Sequence, residues 1–225
     1  MLDFIKTTLT YLIFPPLCPV CKEIVDERGD FCSDCAKKIL FMGYEKNSHE
    51  ILDGVFCLTK YHGGTQNLLL QLKFEKKLSA LPPLKKILSN ISEREDLKNF
   101  IAQTDLAIFV PLHEKRLKER GYNQTDLIFR DFLTEKNLSI ENFLIRKKST
   151  PKLYKFDSPE RKKILEDAFE VVEGADLSGK KILLLDDIFT TGATASECAR
   201  VLKNHGAEKV FVLTFATAST MRNSR

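Results

Sequence analysis

Residues 182 to 194, Ile182-Leu183-Leu184-Leu185-Asp186-Asp187-Ile188-Phe189-Thr190-Thr191-Gly192-Ala193-Thr194, decide the fold. An unbroken apolar run closing on two carboxylates reads as a central parallel strand, buried on both faces. Ala195, Cys198, Ala199 and Leu202 then recur at helical spacing, with Gly206 placed to cap the helix that they define. In open α/β sheets ligands sit beyond the carboxyl ends of the strands. A helix N-terminus there offers unpaired N–H groups and a positive partial charge to an anion. The hydroxyls of Thr190, Thr191 and Thr194 add donors, and Gly192 and Ala193 let the backbone come close. Asp186 and Asp187 can accept bonds from ribose hydroxyls, directly or through Mg2+, which prefers carboxylate oxygen. The stretch therefore predicts a cradle for a phosphorylated ribose. The alternative is a strand end with incidental acids and a Thr cap. Neither GxxxxGK[ST] nor GxGxxG occurs in the chain.

Outward from this stretch, apolar runs alternate with helical patterns. Gly54 to His62 reads as a strand, and GTQNLLLQLKFEKK as a helix entered from Gly63-Gly64. Pro82-Pro83 can open the next helix. Residues 92 to 103 read as a polar connection, Asp105 to His113 as a strand closed by Pro111, and YNQTDLIFRDFL as a helix. ENFLIRKK reads as a strand with a basic exit. Residues 146 to 163 form the one distinctly basic stretch, and Pro151 and Pro159 argue for a loop or extended segment between them. AFEVV and, after the helix, KVFVLTFAT are further strands. The alternation implies an α/β fold with a mostly parallel sheet flanked by helices, over residues 50 to 220. A chain of 225 residues fits one such domain plus a small unit in residues 1 to 40. At 43% hydrophobic and 29% charged it can bury a substantial core. A net charge of +4 permits contact with nucleic acid or phosphorylated ligands without establishing either.

The small unit carries Cys18-x2-Cys21 and Cys32-x2-Cys35. Two such pairs suit a tetrahedral zinc site with four thiolate ligands, and Pro19 and Gly29 suit the turns of a zinc ribbon. Two disulfides or a redox motif are the other readings; a reducing compartment and the missing βαβ context speak against them. Cys57 and Cys198 lie in apolar surroundings and read as inert core residues. The first residues lack a basic start and a cleavage site, and Asp3 and Lys6 interrupt them. They are too short to span a bilayer, so a short amphipathic helix ending at Pro15-Pro16 is expected, with no stable membrane insertion. The expected location is the cytoplasm.

LLLDDIFTTGAT resembles the phosphoribosyl pyrophosphate (PRPP) motif of type I phosphoribosyltransferases. VPLHEKRLKERGYNQ (Val110 to Gln124), LLLQLKFEKK (Leu68 to Lys77) and the four-cysteine ribbon resemble the ComF/ComFC family of late competence proteins, from about residue 17 to 217. This resemblance implies a type I phosphoribosyltransferase-like fold with a zinc ribbon. It also implies a role in natural transformation, handling single-stranded DNA at the cytoplasmic side, near the inner face of the membrane. Where many members carry Arg-x-x-Asn, this chain has Arg161 and Ile164.

The loop after the strand ending at His113 carries Lys115, Arg116, Lys118 and Arg120, and the resemblance places the pyrophosphate loop here. Arg pairs bidentately with phosphate oxygens, so Arg116 and Arg120 are candidates; a solvated charged turn is the alternative. Lys73 is a weaker candidate for the same ligand, and His113 reads as a hydrogen-bonding pocket residue. Asp186 and Asp187 would carry any transfer chemistry, with Mg2+ accompanying PRPP and Zn2+ structural. The basic stretch, with Lys147, Lys148, Lys152 and Tyr154, pairs cations with aromatics as a single-stranded nucleic-acid surface would; a solvated loop reads as well. A transferase acting on an unidentified base remains the second functional reading. The ribbon could dock a helicase or a DNA-uptake channel component.

Overall fold

The computed structural model describes residues 14–45, 50–151 and 156–218. The expected N-terminal helix before residue 14, together with Lys152 and Tyr154, lies outside the described residues. The described elements run α1 (Ser33–Ile39), β1 (Leu40–Glu45), β2 (Gly54–Lys60), α2 (Gly63–Phe74), α3 (Leu81–Ile91), α4 (Glu95–Ala102), β3 (Leu106–Phe109), α5 (Glu114–Arg120), α6 (Gln124–Glu135), β4 (Ser139–Ile140), β5 (Leu144–Arg146), α7 (Ser158–Leu165), β6 (Phe169–Val171), β7 (Lys181–Phe189), α8 (Ala193–Asn204) and β8 (Lys209–Thr217).

Six strands form one sheet in the order β1-β2-β8-β7-β3-β4. Only the edge pairing of β1 with β2 is antiparallel; every other pairing in it is parallel. The parallel part is built as the apolar runs demand, with successive side chains feeding two different cores. Along β7, Leu183 and Leu185 face a core with α2, α3, α4 and α6, whereas Ile182 and Leu184 face one with α8, β5 and β6. Each such buried leucine stabilises the fold by about 1.5–3 kcal/mol. The carboxyl ends of β2, β3, β7 and β8 share one edge of the sheet, which places Asp186, Asp187 and the loop after β3 together.

Three expectations need correction. The polar connection at 92 to 103 contains α4, whose Leu97, Phe100 and Ile101 are buried; three apolar residues are hidden there in a charged composition. The loop expected between Pro151 and Pro159 gives way to a helix before its end, at Ser158. Asp157 and Glu160 form a capping box, and Pro159 sits in the first turn of α7, where its missing N–H is harmless. The strands within ENFLIRKK and AFEVV do not join the main sheet but pair with each other, antiparallel, as β5 and β6.

The ribbon packs directly on the domain. Val20 and Phe31 join the core beside α2 and α3, and Asp30 pairs with Lys86 at 3.1 Å. The fit against α2 is close: a Cβ on Gly64 would lie 2.1 Å from a methyl of Val20.

Candidate functional site

The ribbon's four sulfurs gather from a short turn at Cys18 to Glu23 and from the start of α1, which holds Cys35 and follows Cys32. The Cys18 N–H donates to the carbonyl of Glu23, and the Lys22 N–H to that of Cys18; an isolated bridge joins Leu17 to Ile24. The sulfurs of Cys18, Cys21, Cys32 and Cys35 all lie within 4.8 Å of one another. Tetrahedral zinc with Zn–S near 2.3 Å sets its sulfurs about 3.8 Å apart, so the donor set and its span fit this ion. Electrostatics agree. Burial, then the neighbouring sulfurs, push the Cys35 thiol up to about 12. Burial acts the same way on Cys18, but backbone N–H groups of Cys21, Cys32 and Val20 outweigh it and bring that thiol down to about 6. Four sulfurs this close shed their protons together only around a cation.

Thr190, Thr191 and Gly192 link β7 to α8. Gly192 holds φ 72°, the left-handed region, as the N-cap of α8. No side chain caps this helix and no acid occupies its first turn, so its leading N–H groups face the pocket at the strand end. That pocket is lined by Asp186, Ile188, Phe189, the turn, Ala193, Thr194 and, from outside the motif, Arg161. The Thr191 hydroxyl is buried without a hydrogen-bond partner, which suits a site that a ligand completes.

The acid pair behaves as two different groups. Burial, then the charge of Asp187, push Asp186 up to about 8. Burial works on Asp187 too, but Lys73's charge and hydrogen bonds from Lys73 and Gln124 outweigh it and hold Asp187 below the usual carboxylate range. Lys73, from the last turn of α2, places Nζ 2.8 Å from Asp187 Oδ2, and Gln124 Nε2 donates to the same oxygen at 2.7 Å.

The segment Gly121-Tyr122-Asn123-Gln124 organises this corner residue by residue. Gly121, at φ 89°, ends α5. The Tyr122 hydroxyl donates to the Leu72 carbonyl of α2 at 2.7 Å. Asn123 caps α6 by accepting from Thr125 N–H, and donates to the Val110 carbonyl at 3.1 Å. Gln124 accepts from Arg120 while donating to Asp187.

His113 is the N-cap of α5, accepting through Nδ1 from the Lys115 N–H. The expected charged loop is therefore largely a helix with no buried residue, invisible to apolar periodicity. Arg116 donates to the carbonyls of Thr150 (2.6 Å) and Pro151 (3.2 Å). Arg146 donates to Thr150 Oγ1 at 2.5 Å, lies 5.3 Å from the Phe169 ring centroid, and leaves its buried Nε unpartnered. Arg161 donates to Thr190 Oγ1 at 3.0 Å. Among the described residues none of Arg116, Arg120, Arg146 and Arg161 pairs with a carboxylate, whereas Arg94, Arg130 and Arg200 on the outer helices all do. Burial pushes Arg120 and Arg146 down from the usual guanidinium range. Gln124 and Arg146 escaped sequence reasoning: the first looked like a helix start, the second like one charge among many in a basic exit. The exposed Lys147 and Lys148 are engaged by Glu170 and by the Glu166 carbonyl, both at 2.8 Å.

Parallel strands with an acid-tipped strand leading into an uncapped helix, preceded by four clustered cysteines, define a type I phosphoribosyltransferase-like α/β protein with an N-terminal zinc ribbon. Family profiles agree: a double zinc ribbon domain matches residues 9–46 and a phosphoribosyl transferase domain matches residues 150–223. Relatives that match over most of its length include competence protein F and the DNA utilization proteins YhgH. It is 23% identical over 205 residues to competence protein F of Haemophilus influenzae, covering 90% of this chain and 85% of that one. To YhgH of Salmonella typhimurium it is 25% identical over 201 residues, covering 87% and 88%. A hypoxanthine phosphoribosyltransferase of Staphylococcus aureus overlays 63% of this chain and 68% of its own at 12% identity, with a TM-score of 0.41, too loose a likeness to argue from.

Proposed function

We propose that this ComF-like protein binds PRPP with Mg2+ at the end of β7 and acts in the handling of single-stranded DNA. The observation that carries the first half is the pairing of an acid-tipped strand with an uncapped helix N-terminus whose pocket Arg161 lines; among the described residues neither Arg161 nor Arg120 has a carboxylate partner. In this reading the N–H groups of α8 and the Thr hydroxyls hold the 5-phosphate, the acid pair holds the ribose hydroxyls, and Arg120 with Arg116 meets the pyrophosphate. Mg2+ would supply further charge neutralisation between carboxylate and phosphate oxygens. Calorimetry tests the reading. The double variant Asp186→Ala, Asp187→Ala should lose Mg2+-dependent PRPP binding with its zinc content unchanged; wild-type affinity would refute the site.

The arginines beside the acid pair also favour a second reading, transfer of the ribose 5-phosphate to a base, because they suit a departing pyrophosphate. Pyrophosphate release in the presence of PRPP, Mg2+ and a panel of bases supports it, and silence across the panel with PRPP still bound favours a binder. The DNA half rests on the relatives' names and on the basic stretch of residues 146 to 163. Oligonucleotide affinity should fall steeply with salt; affinity indifferent to ionic strength removes this half of the proposal. Among the described residues no helix is long and apolar enough to cross a membrane.

A further inference from the structure

We infer that Gln124 is a positioning residue whose amide joins the arginine-bearing segment to the acid pair, so that the two ends of the site are organised together. Its side chain is 3% exposed and has a fixed orientation. The oxygen accepts from Arg120 and the nitrogen donates to Asp187 Oδ2, which Lys73 also contacts. Flipping the amide would set NH2 against a guanidinium and a carbonyl against a carboxylate, so one orientation alone satisfies both neighbours. The backbone cannot shift to relax it: Gln124 opens α6, whose Asn123 cap is itself tied to Val110. The resulting chain Arg120–Gln124–Asp187–Lys73 links α5, α6, β7 and α2, and each hydrogen bond polarises the next.

An amide suits this place because it is neutral. It orders both charged neighbours and discharges neither, leaving Arg120 without a carboxylate partner and its charge available to an anion. A glutamate at the same point would neutralise Arg120 and set a second negative charge against Asp187. Gln124 also differs from a residue that merely fills space, since an apolar side chain of equal length would keep the packing and lose the link.

Two measurements on the zinc-loaded full chain decide the matter, the second resting on the PRPP reading and the first independent of it. In melts, the Tm losses of Lys73→Met and Arg120→Met should be non-additive in the native background and additive once Gln124→Met is introduced. In titrations with Mg2+, Gln124→Met should weaken PRPP about tenfold but ribose 5-phosphate, which lacks the pyrophosphate, less than about threefold. Gln124→Glu should weaken PRPP further. Additive losses in both backgrounds overturn the inference, as does an equal loss of both ligands, which a general folding defect would give. If neither ligand binds the wild type, the PRPP reading falls and the melts alone decide. Gln124→Leu serves in the same melts should the Met variant not fold, since it too breaks the link to Asp187.

Discussion

The zinc ribbon and the strand-end site solve the same problem, holding charged groups at fixed spacing, in opposite ways. The ribbon collects four like ligands from Cys18 to Cys35, one short length of chain. The site collects Lys73, Arg120, Gln124, Arg161 and Asp186 to Thr194 from six different elements and aligns them through the sheet. The ribbon's geometry is thus a property of local sequence plus one ion, whereas the site's geometry is a property of the whole fold. Damage to the first should be large and specific; damage to the second should be graded and spread over several elements.

The sharpest break is at the metal. Cys35→Ser should abolish stoichiometric zinc and destabilise the chain by several kcal/mol, because binding energy at such sites is folding energy. Zinc analysis and a melt with and without chelator check it. The next break is where the two regions meet. Gly64→Ala should cost about 1–3 kcal/mol by overpacking against Val20, and Val20→Ala in the same chain should recover part of it. A melt of both variants decides it, and an unchanged Tm in Gly64→Ala would mean the ribbon can move off α2.

A smaller effect sharpens the site's side of the comparison. Asp186 is raised from 3.8 to about 8 on folding, so its contribution is fully present below pH 4 and is lost as pH rises to 8. Asp186→Asn cannot titrate, and its oxygen can still accept from the Asp187 N–H. Its Tm should therefore exceed the wild type by a margin that grows from pH 4 to 8 and then levels off. A constant margin across that range would count against the buried acid. The smallest effect is expected at Lys147→Ala, which breaks an exposed pair with Glu170 and should leave the Tm essentially unchanged. A clear loss would show that the basic stretch is part of the scaffold.

What could be read from sequence follows the same division. The ribbon was fully legible because its ligands share one residue type and one spacing. β7 and α8 were legible because both faces of a central strand and one face of a helix must be apolar. α5 was not, since a helix with no buried residue leaves no periodic trace; its signals are local, the His113 cap and Gly121. α7 was obscured by the prolines, although Asp157-Ser158-Pro159-Glu160 spells a helix start. Lys73 could be suspected from the motif alone, but nothing in an amphipathic pattern says that it crosses to Asp187. Gln124 lay at the edge of a quoted motif, and its role depends on an acid found 63 residues later.

The close approach of Val20 to Gly64 has a consequence for how the chain is made. Synthesis proceeds from the N-terminus, so the cysteine turns emerge before the surface on which they rest. Their ligands are near in sequence and can close on an ion early. Val20 and Phe31, however, stay uncovered until α2 and α3 have formed and found the sheet, whose strand β8 comes last of all. The nascent ribbon is thus an assembled part waiting for its seat, and metal supply during translation, more than afterwards, should govern the yield of native protein.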